Sequence, residues 1–530
     1  YTAGSPPNIA ANGIGGTYSI DSGFSSTQLG VLLSLTSSSA SVTVLANGLD
    51  SAQLAAVVDQ GTNATKVDTF SIATGSVSLT QTQLLAMQNA GATVTGDSGG
   101  SLTITAYTGM SQVSSLPAAL AITAVTDAGA ALGTAALANI DTLTITGSTT
   151  MSSADLGAFL AAGGVVNGSG SLTVSGYNDQ NLSAVAASVN LKVLLDASQS
   201  TLDATDATYL SKADILGLST GMALTINQAN LATFAELKGF EGVAGGAAET
   251  VTLADNAGAA GSTVDLKRIT SISDIAALNV VGDTGANIVQ LSSSLINSGV
   301  VNVDFGSGGA NGANGGDGAA DRLIFQMDNL NYQSTGTIAS FNRITNFDFL
   351  GSSSSPTALQ DRVGFFAGSG TGTSFIPSGA YTTLSATGGI YSLVDGKFFE
   401  DTLGFLNVSN DIAASDISGI RSYIAQTLTN GGASVNITNT VAGAGVQFIW
   451  AVSGYSTGAD NSADPDPTNT SLFLYSGQYT GGAVAAGSTV QASDIQLVAL
   501  AEVAGYEDGS FAVVNNTSSN FTLTKPAGLT

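Results

Sequence analysis

Two hydrophobic rhythms run through the first 300 residues. One is a six-residue signature: an apolar residue, a capping residue, two others, then Gln, Asp or Asn, then a second apolar residue. It reads Phe24-Ser25-Ser-Thr-Gln28-Leu29, Leu49-Asp50-Ser-Ala-Gln53-Leu54 and Leu79-Thr80-Gln-Thr-Gln83-Leu84. It returns at Met151-Ser152-Ser-Ala-Asp155-Leu156, Leu210-Ser211-Lys-Ala-Asp214-Ile215 and Ile226-Asn227-Gln-Ala-Asn230-Leu231. The spacing predicts six helix N-termini. The capping oxygen takes an orphan backbone N–H, the residue three later bonds back, and the flanking apolar pair forms a hydrophobic staple. Apolar residues that follow (Leu156, Phe159, Leu160; Leu231, Phe234) predict one buried face, and Gly91 and Gly163 predict helix stops.

The other rhythm has period two. Residues 101–105, 143–146 and 171–175 alternate Leu, Ile or Val with Ser or Thr, the pattern of strands with one face in a core. Residues 79–108 and 151–178 align at an offset of 72, an internal repeat of short helix and strand. The fold expected is β-rich α/β: an irregular, solenoid-like repeat of short helices and strands, then a β-rich C-terminal domain of β-sandwich or β-roll type. An ordinary α/β domain with coincidental caps is the alternative. Of 34 aromatic residues, 10 fall in the first 300 positions and 24 in the rest. The boundaries expected are an extended N-terminal arm at 1–22, the repeat at 23–300, a Gly/Asp-rich junction at 301–350 and the C-terminal domain at 351–530.

Composition narrows the chemistry. The 530-residue chain has no Cys and no His, which excludes disulfides, thiolate nucleophiles, imidazole-ligated metals and Ser-His-Asp catalysis. A net charge of −26 argues against nucleic acid and anionic lipid as partners. No apolar run approaches the roughly 18 residues of a spanning helix, so membrane insertion is not expected. Only 9% of residues are charged, against about 25% in ordinary domains. A surface of Ser, Thr, Asn, Gly and Ala immobilises few long side chains on contact, and the surplus acid favours packing only where cations screen or bridge it.

The junction carries the first candidate site. Gly315-Gly316-Asp317-Gly318-Ala319-Ala320-Asp321-Arg322-Leu323-Ile324 approximates a calcium nonapeptide repeat, G-G-x-G-x-D-x-U-x, with one extra residue before the Asp. Carboxylate and carbonyl oxygens on a tight Gly-rich turn suit a hard cation, so Asp317 and Asp321 are candidate Ca²⁺ ligands. Asp460, Asp464 and Asp466, on the Pro-stiffened stretch Asp460-Asn461-Ser-Ala-Asp464-Pro465-Asp466-Pro467, form a second candidate set, with a solvated turn as the alternative.

Asp321-Arg-Leu-Ile-Phe, Ile344-Thr-Asn-Phe-Asp348 and Asp361-Arg-Val-Gly-Phe365 together resemble the segment that closes the calcium β-roll of RTX-type proteins exported by type I secretion. Surface-layer proteins and large adhesins share this ending. The resemblance covers about residues 301–530, and no tandem nonapeptide array accompanies it. It implies secretion, calcium-assisted folding outside the cell and a cell-surface role.

Catalysis is not expected. Glu236, Glu241, Glu400 and Glu502 could supply paired carboxylates for a polysaccharide-acting enzyme, but no motif surrounds them, and the repeat region offers few cations. Thr-rich strands raise an ice-binding face, but helix starts spaced 25, 30, 72, 59 and 16 residues apart do not give equal coils. The expected function is a secreted, extracellular structural protein that forms a homopolymer, as a bacterial surface layer or filament assisted by calcium. The alternatives are an adhesin that uses aromatics such as Trp450 or Tyr455 on cell-surface polysaccharide, and, distantly, a solenoidal polysaccharide-acting enzyme. The triplets at Asn63, Asn167 and Asn436 permit glycosylation.

Overall fold

Parallel strand pairing dominates the computed structural model, which describes residues 17–36, 40–58, 66–127, 129–245, 248–254, 261, 263–283, 285–306, 319–347, 361–366, 381–384, 389–392, 397–406, 412–430, 433–436, 446–455, 470–482, 489–504, 512–515 and 520–524. The chain divides into two units. One comprises residues 1–199, 205–217 and 234–236; the other comprises 200–204, 218–233 and 237–530.

In the first unit, Thr17–Ile20, Ser41–Leu45, Thr69–Thr80, Thr93–Thr105, Ala121–Thr126, Thr142–Ile145 and Val165–Gly168 lie side by side in chain order, each parallel to the next. A second parallel sheet orders Ala130–Leu132, Ser148–Ser152, Ser171–Tyr177, Asn190–Leu195 and Ile215–Gly217. From Ala121 to Tyr177 the chain alternates between the two sheets, strand by strand. Parallel register stacks like on like. Ile104, Ala124, Leu143 and Val166 form one buried file, while Thr103, Thr123 and Thr142 form the adjacent outward one. Each buried Val, Leu or Ile contributes about 1.5–3 kcal/mol.

Five of the six predicted helix starts are present. Ser25 and Thr80 close full capping boxes with Gln28 and Gln83. Asp50 and Gln53 do the same: the Gln53 N–H donates to Asp50 Oδ1 at 2.8 Å, and the Asp50 N–H to Gln53 Oε1 at 2.7 Å. Ser152 and Asn227 cap Ser153–Ala161 and Gln228–Leu231. The 72-residue repeat holds to the residue, since Gln81–Asn89 and Ser153–Ala161 are related by that offset. Gly91 and Gly163 follow these helices at φ +98° and +94°.

The sixth prediction fails. Ser211 starts no helix; Ala204–Tyr209 lies before it, and Ile215–Gly217 is a strand. Asp214 is committed to the neighbouring strand, as described below, so it cannot serve as the third residue of a helix. Helices also start outside the six signatures, at Thr134, Ala204, Ser293 and Ile417; Ser292 caps Ser293–Ser298, where Leu295 stands in place of a polar third residue.

In the second unit, Thr201–Leu202, Ala223–Asn227, Thr250–Ala254, Ala277–Val281, Val301–Asp304 and Arg343–Thr345 pair parallel in chain order. Arg343–Thr345 then pairs parallel with Ile495–Ala504. Beyond it the sheet turns antiparallel through Thr470–Tyr479 and Val446–Tyr455, and continues with Lys397–Leu406 and Tyr381–Leu384. A second sheet runs Thr263–Leu266, Ile288–Leu291, Arg322–Gln326 and Arg362–Phe366 in parallel, followed by antiparallel Asn520–Thr524 and Ala512–Asn515. Here register stacks Phe325 on Phe365, with centroids 5.7 Å apart and planes 15° from parallel.

The helix Ile417–Asn430 is not among the helix starts expected from the sequence, and it lies in the C-terminal region expected to be β-rich. Ile417, Ile420, Ile424 and Leu428 put one apolar stripe against Phe448, Trp450, Val452, Phe473 and Tyr475. Arg421 is buried beside that stripe, with its guanidinium donating to the Ile495 and Ala492 carbonyls.

Candidate functional site

One arrangement recurs at the starts of strands in both units. An acid immediately before a strand accepts the backbone N–H of a residue at, or one or two positions before, the start of the preceding strand in the stack. Asp68 takes Val42, Asp141 takes Ile122 and Asp214 takes Leu191, each at 2.7 Å. Glu249 takes Gly221 at 3.0 Å through Oε1, Asp321 takes Asn287, and Asp361 takes Asp321 at 2.8 Å. Asn342 fills the same place toward Val301 at 3.2 Å. A returning backbone bond completes the clasp in several cases: the N–H groups of Asp68, Asp141 and Asp214 donate to the carbonyls of Val42, Ile122 and Leu191 at 3.0, 2.9 and 2.8 Å.

Local sequence explains the placement. Val-Asp68-Thr-Phe-Ser-Ile, Ile-Asp141-Thr-Leu-Thr-Ile, Ala-Glu249-Thr-Val-Thr-Leu and Ala-Asp321-Arg-Leu-Ile-Phe share an acid followed at +2 and +4 by inward apolar residues. The alternation fixes the strand's face, and the acid is then held at the sheet edge beside backbone donors. These acids supply oxygen acceptors that the ladder lacks at its margin. The signal was present in the sequence as acid-x-apolar-x-apolar. It was read as a family motif at Asp321 and Asp361 and passed over at Asp68, Asp141 and Glu249.

Asp321 is 1% exposed and spends Oδ1 on the Asn287 N–H. The same letters serve the same backbone pairing in the first unit, where no Gly-rich stretch adjoins them, so strand pairing accounts for this part of the motif without an ion. Asp317, Asp460, Asp464 and Asp466 lie outside the described residues. Among the described residues, no three of Asp, Glu, His and Cys gather in a way that could hold a metal ion. In the second unit, Asp283 Oδ1 accepts the Gly285 N–H at 2.6 Å within a local turn, and Asp304 Oδ1 accepts the Asn346 Nδ2–H at 2.7 Å from the end of the neighbouring parallel strand.

A groove of about 360 Å³ in the first unit is lined by Thr134, Leu137, Asn139, Asp141, Asp155 and Phe159, among others. Its acids are engaged. Asp155 receives the Thr134 N–H at 2.8 Å through Oδ1 and the Ser152 hydroxyl at 2.5 Å through Oδ2, while Asp141 holds Ile122. The Ser152 and Thr134 hydroxyls, in that order, hold the Asp155 carboxyl below its ordinary range. Glu502 is 1% exposed and accepts the Ser471 hydroxyl at 2.8 Å, whereas Glu241 lies in the short strand Gly239–Glu241.

Trp450 corrects an expectation. It was a candidate surface aromatic for glycan stacking, yet it is 0% exposed and packs edge-on against Phe448 with centroids 6.4 Å apart. Its strand, Val446–Tyr455, lies between two others, and residues on that face meet the helix Ile417–Asn430. No helix among the described residues is long and apolar enough to cross a membrane.

No protein-family model, curated protein or solved structure matches this chain.

Proposed function

We propose that this chain is a secreted structural protein that assembles with copies of itself into an extracellular surface layer or filament, with calcium favouring the assembled state. The observation that carries the reading is the in-register parallel stack of the first unit. Its seven strands present Ser and Thr outward in file, with hardly a charged side chain among them. In this reading each parallel stack is an irregular β-solenoid, one strand per sheet per coil, closed laterally by helices and turns.

Such a stack favours association for two reasons. Its strand Thr17–Ile20 pairs with Ser41–Leu45 on one side and, among the described residues, stands at the margin of its sheet, and a marginal strand is a template for further pairing. The outward files also carry few charges, so copies approach without desolvating ions. The charge of −26 resides elsewhere, and divalent cations that neutralise it lower the repulsion between copies. Secretion follows from the RTX-like ending and from a Cys-free, His-free composition suited to long exposure outside the cell.

The reading is tested by negative-stain microscopy and light scattering of the purified chain with millimolar Ca²⁺ or with chelator. Sheets or fibres that form with Ca²⁺ and disperse with chelator are expected. A monodisperse protein at every Ca²⁺ concentration overturns the proposal.

A further inference from the structure

Glu249, in the second unit, is sealed from solvent at 0% exposure, yet only one of its carboxylate oxygens is used. Oε1 accepts the Gly221 N–H at 3.0 Å, while Oε2 is enclosed without a hydrogen-bond partner among the described residues. No Lys or Arg among those residues pairs with it. The Gly221 N–H outweighs the burial and holds the Glu249 carboxyl below its ordinary range, with smaller help from the N–H groups of Glu249 and Ala248. The group is therefore charged at neutral pH. A buried charge without a counter-charge is costly.

Two turns bring a further oxygen to the same place. Gly242 follows the strand Gly239–Glu241 and Asp274 follows Ser271–Ser273, and the register of these strands pairs Glu241 with Ser273. The Gly242 N–H donates to the Ser273 carbonyl at 2.9 Å, and the next carbonyl, that of Asp274, lies against Gly242. A Cβ on Gly242 would overlap the Asp274 carbonyl oxygen and lie 3.3 Å from Glu249 Oε2. The two oxygens are thus within about 5 Å of one another, and a Ca²⁺ ion holding each at about 2.3–2.6 Å spans that gap.

We propose that this corner binds one Ca²⁺ ion, with Glu249 Oε2 and the Asp274 carbonyl as its protein ligands and water completing the shell. Both are hard oxygen donors. Ca²⁺ accepts the loose geometry of a mixed protein and water shell, whereas Mg²⁺ demands a near-ideal octahedron. The site uses a single carboxylate, so no gathering of three acids marks it. It rests on the calcium half of the proposed function, not on contact between copies.

Equilibrium dialysis of the full chain against radioactive Ca²⁺ tests the site, with millimolar Mg²⁺ present to occupy exposed acids. It counts ions per chain whether or not copies assemble. The expected result is one ion that Glu249→Gln loses or binds at least tenfold more weakly, and that Asp265→Asn, at an exposed acid, retains. Gln keeps an acceptor for the Gly221 N–H, so in chelator Glu249→Gln is expected to melt no lower than wild type. Added Ca²⁺ then raises the melting temperature of wild type more than that of the variant. Equal ion counts in wild type and Glu249→Gln, or no ion in either, leave Oε2 to water and overturn the proposal. A variant that melts lower or fails to fold in chelator shows that the charge is paired within the chain, and overturns it too. Ca²⁺-driven assembly with equal ion counts removes this site and leaves the assembly reading standing; an ion lost in Glu249→Gln from a chain that never assembles does the reverse.

Discussion

Asp68 and Val42 hold one another through two hydrogen bonds: the carboxylate accepts the Val42 N–H at 2.7 Å, and the Val42 carbonyl accepts the Asp68 N–H at 3.0 Å. The pair stands where two strands begin to run together, and equivalent pairs recur at Asp141 with Ile122 and at Asp214 with Leu191. A one-residue slip would break both bonds and turn every inward Val, Ile or Phe outward. The clasp therefore specifies register as well as stability.

Asp214 gives the cleanest test, being 4% exposed and bonded to a buried strand. Asp214→Ala leaves the Leu191 N–H buried without that acceptor and is expected to cost about 1–3 kcal/mol. Asp214→Asn keeps an acceptor oxygen and is expected to recover most of the loss. Denaturant midpoints at constant slope check both values.

How much of this was legible in the sequence depends on the range of the interaction. The capping boxes at Ser25, Asp50 and Thr80 could be read because donor and acceptor lie three residues apart. The clasp could not be told from a cap at Asp214, because its partner Leu191 is 23 residues away. The parallel order of the strands was hidden for the same reason: alternation in residues 101–105 fixes a face but not a neighbour. The helix Ile417–Asn430 did carry a periodic signal, but it lies in a stretch whose aromatic content read as strand. The candidate Ca²⁺ ligand Asp321 drew attention through the Gly-rich stretch before it, while its bond to Asn287 was invisible.

Gly168 and Gly163 separate backbone strain from steric exclusion. Both adopt positive φ, +117° and +94°. A Cβ at Gly168 would lie 2.0 Å from the Ile145 carbonyl oxygen, whereas one at Gly163 would meet nothing within 4 Å. Gly163→Ala is expected to cost about 1–2 kcal/mol from conformation alone. Gly168→Ala is expected to exceed that range, because the Ile145 carbonyl also accepts the Ser169 and Gly170 N–H groups and cannot retreat without losing them. Thermal melts of the two variants give the difference.

Trp450 is the sole tryptophan and reports on the second unit. Its native emission is expected to be blue-shifted and poorly quenched by acrylamide, and to move red in one step as the helix Ile417–Asn430 leaves the sheet. Ile424→Ala, at a fully buried position in that contact, is expected to lower the midpoint of this transition by about 2–5 kcal/mol equivalent. The clasp variant Asp214→Ala, which lies in the first unit, provides the comparison. If the units unfold independently, Asp214→Ala leaves the Trp450 transition in place while shifting the total secondary-structure signal.

Asp155 makes stability depend on acidity in a predictable direction. The Ser152 and Thr134 hydroxyls and the Thr134 N–H favour its charged form in the folded chain, which holds its pKa below the ordinary 3.8. The unfolded chain therefore binds the proton more tightly. The stabilising contribution is fully present above the unfolded value and is lost as pH falls through the lowered folded one. Among the described residues, the other ionisable group lining the same groove is Asp141, so no nearby cation offsets the effect there. Asp155→Asn removes the titration but keeps an acceptor toward Thr134. The variant is expected to be less stable than wild type at pH 7, with the gap closing as pH drops below about 4. Parallel denaturation curves for the two proteins across that range check the sign; a gap that stays constant or widens toward acid would show that the Ser152 and Thr134 bonds do not favour the carboxylate.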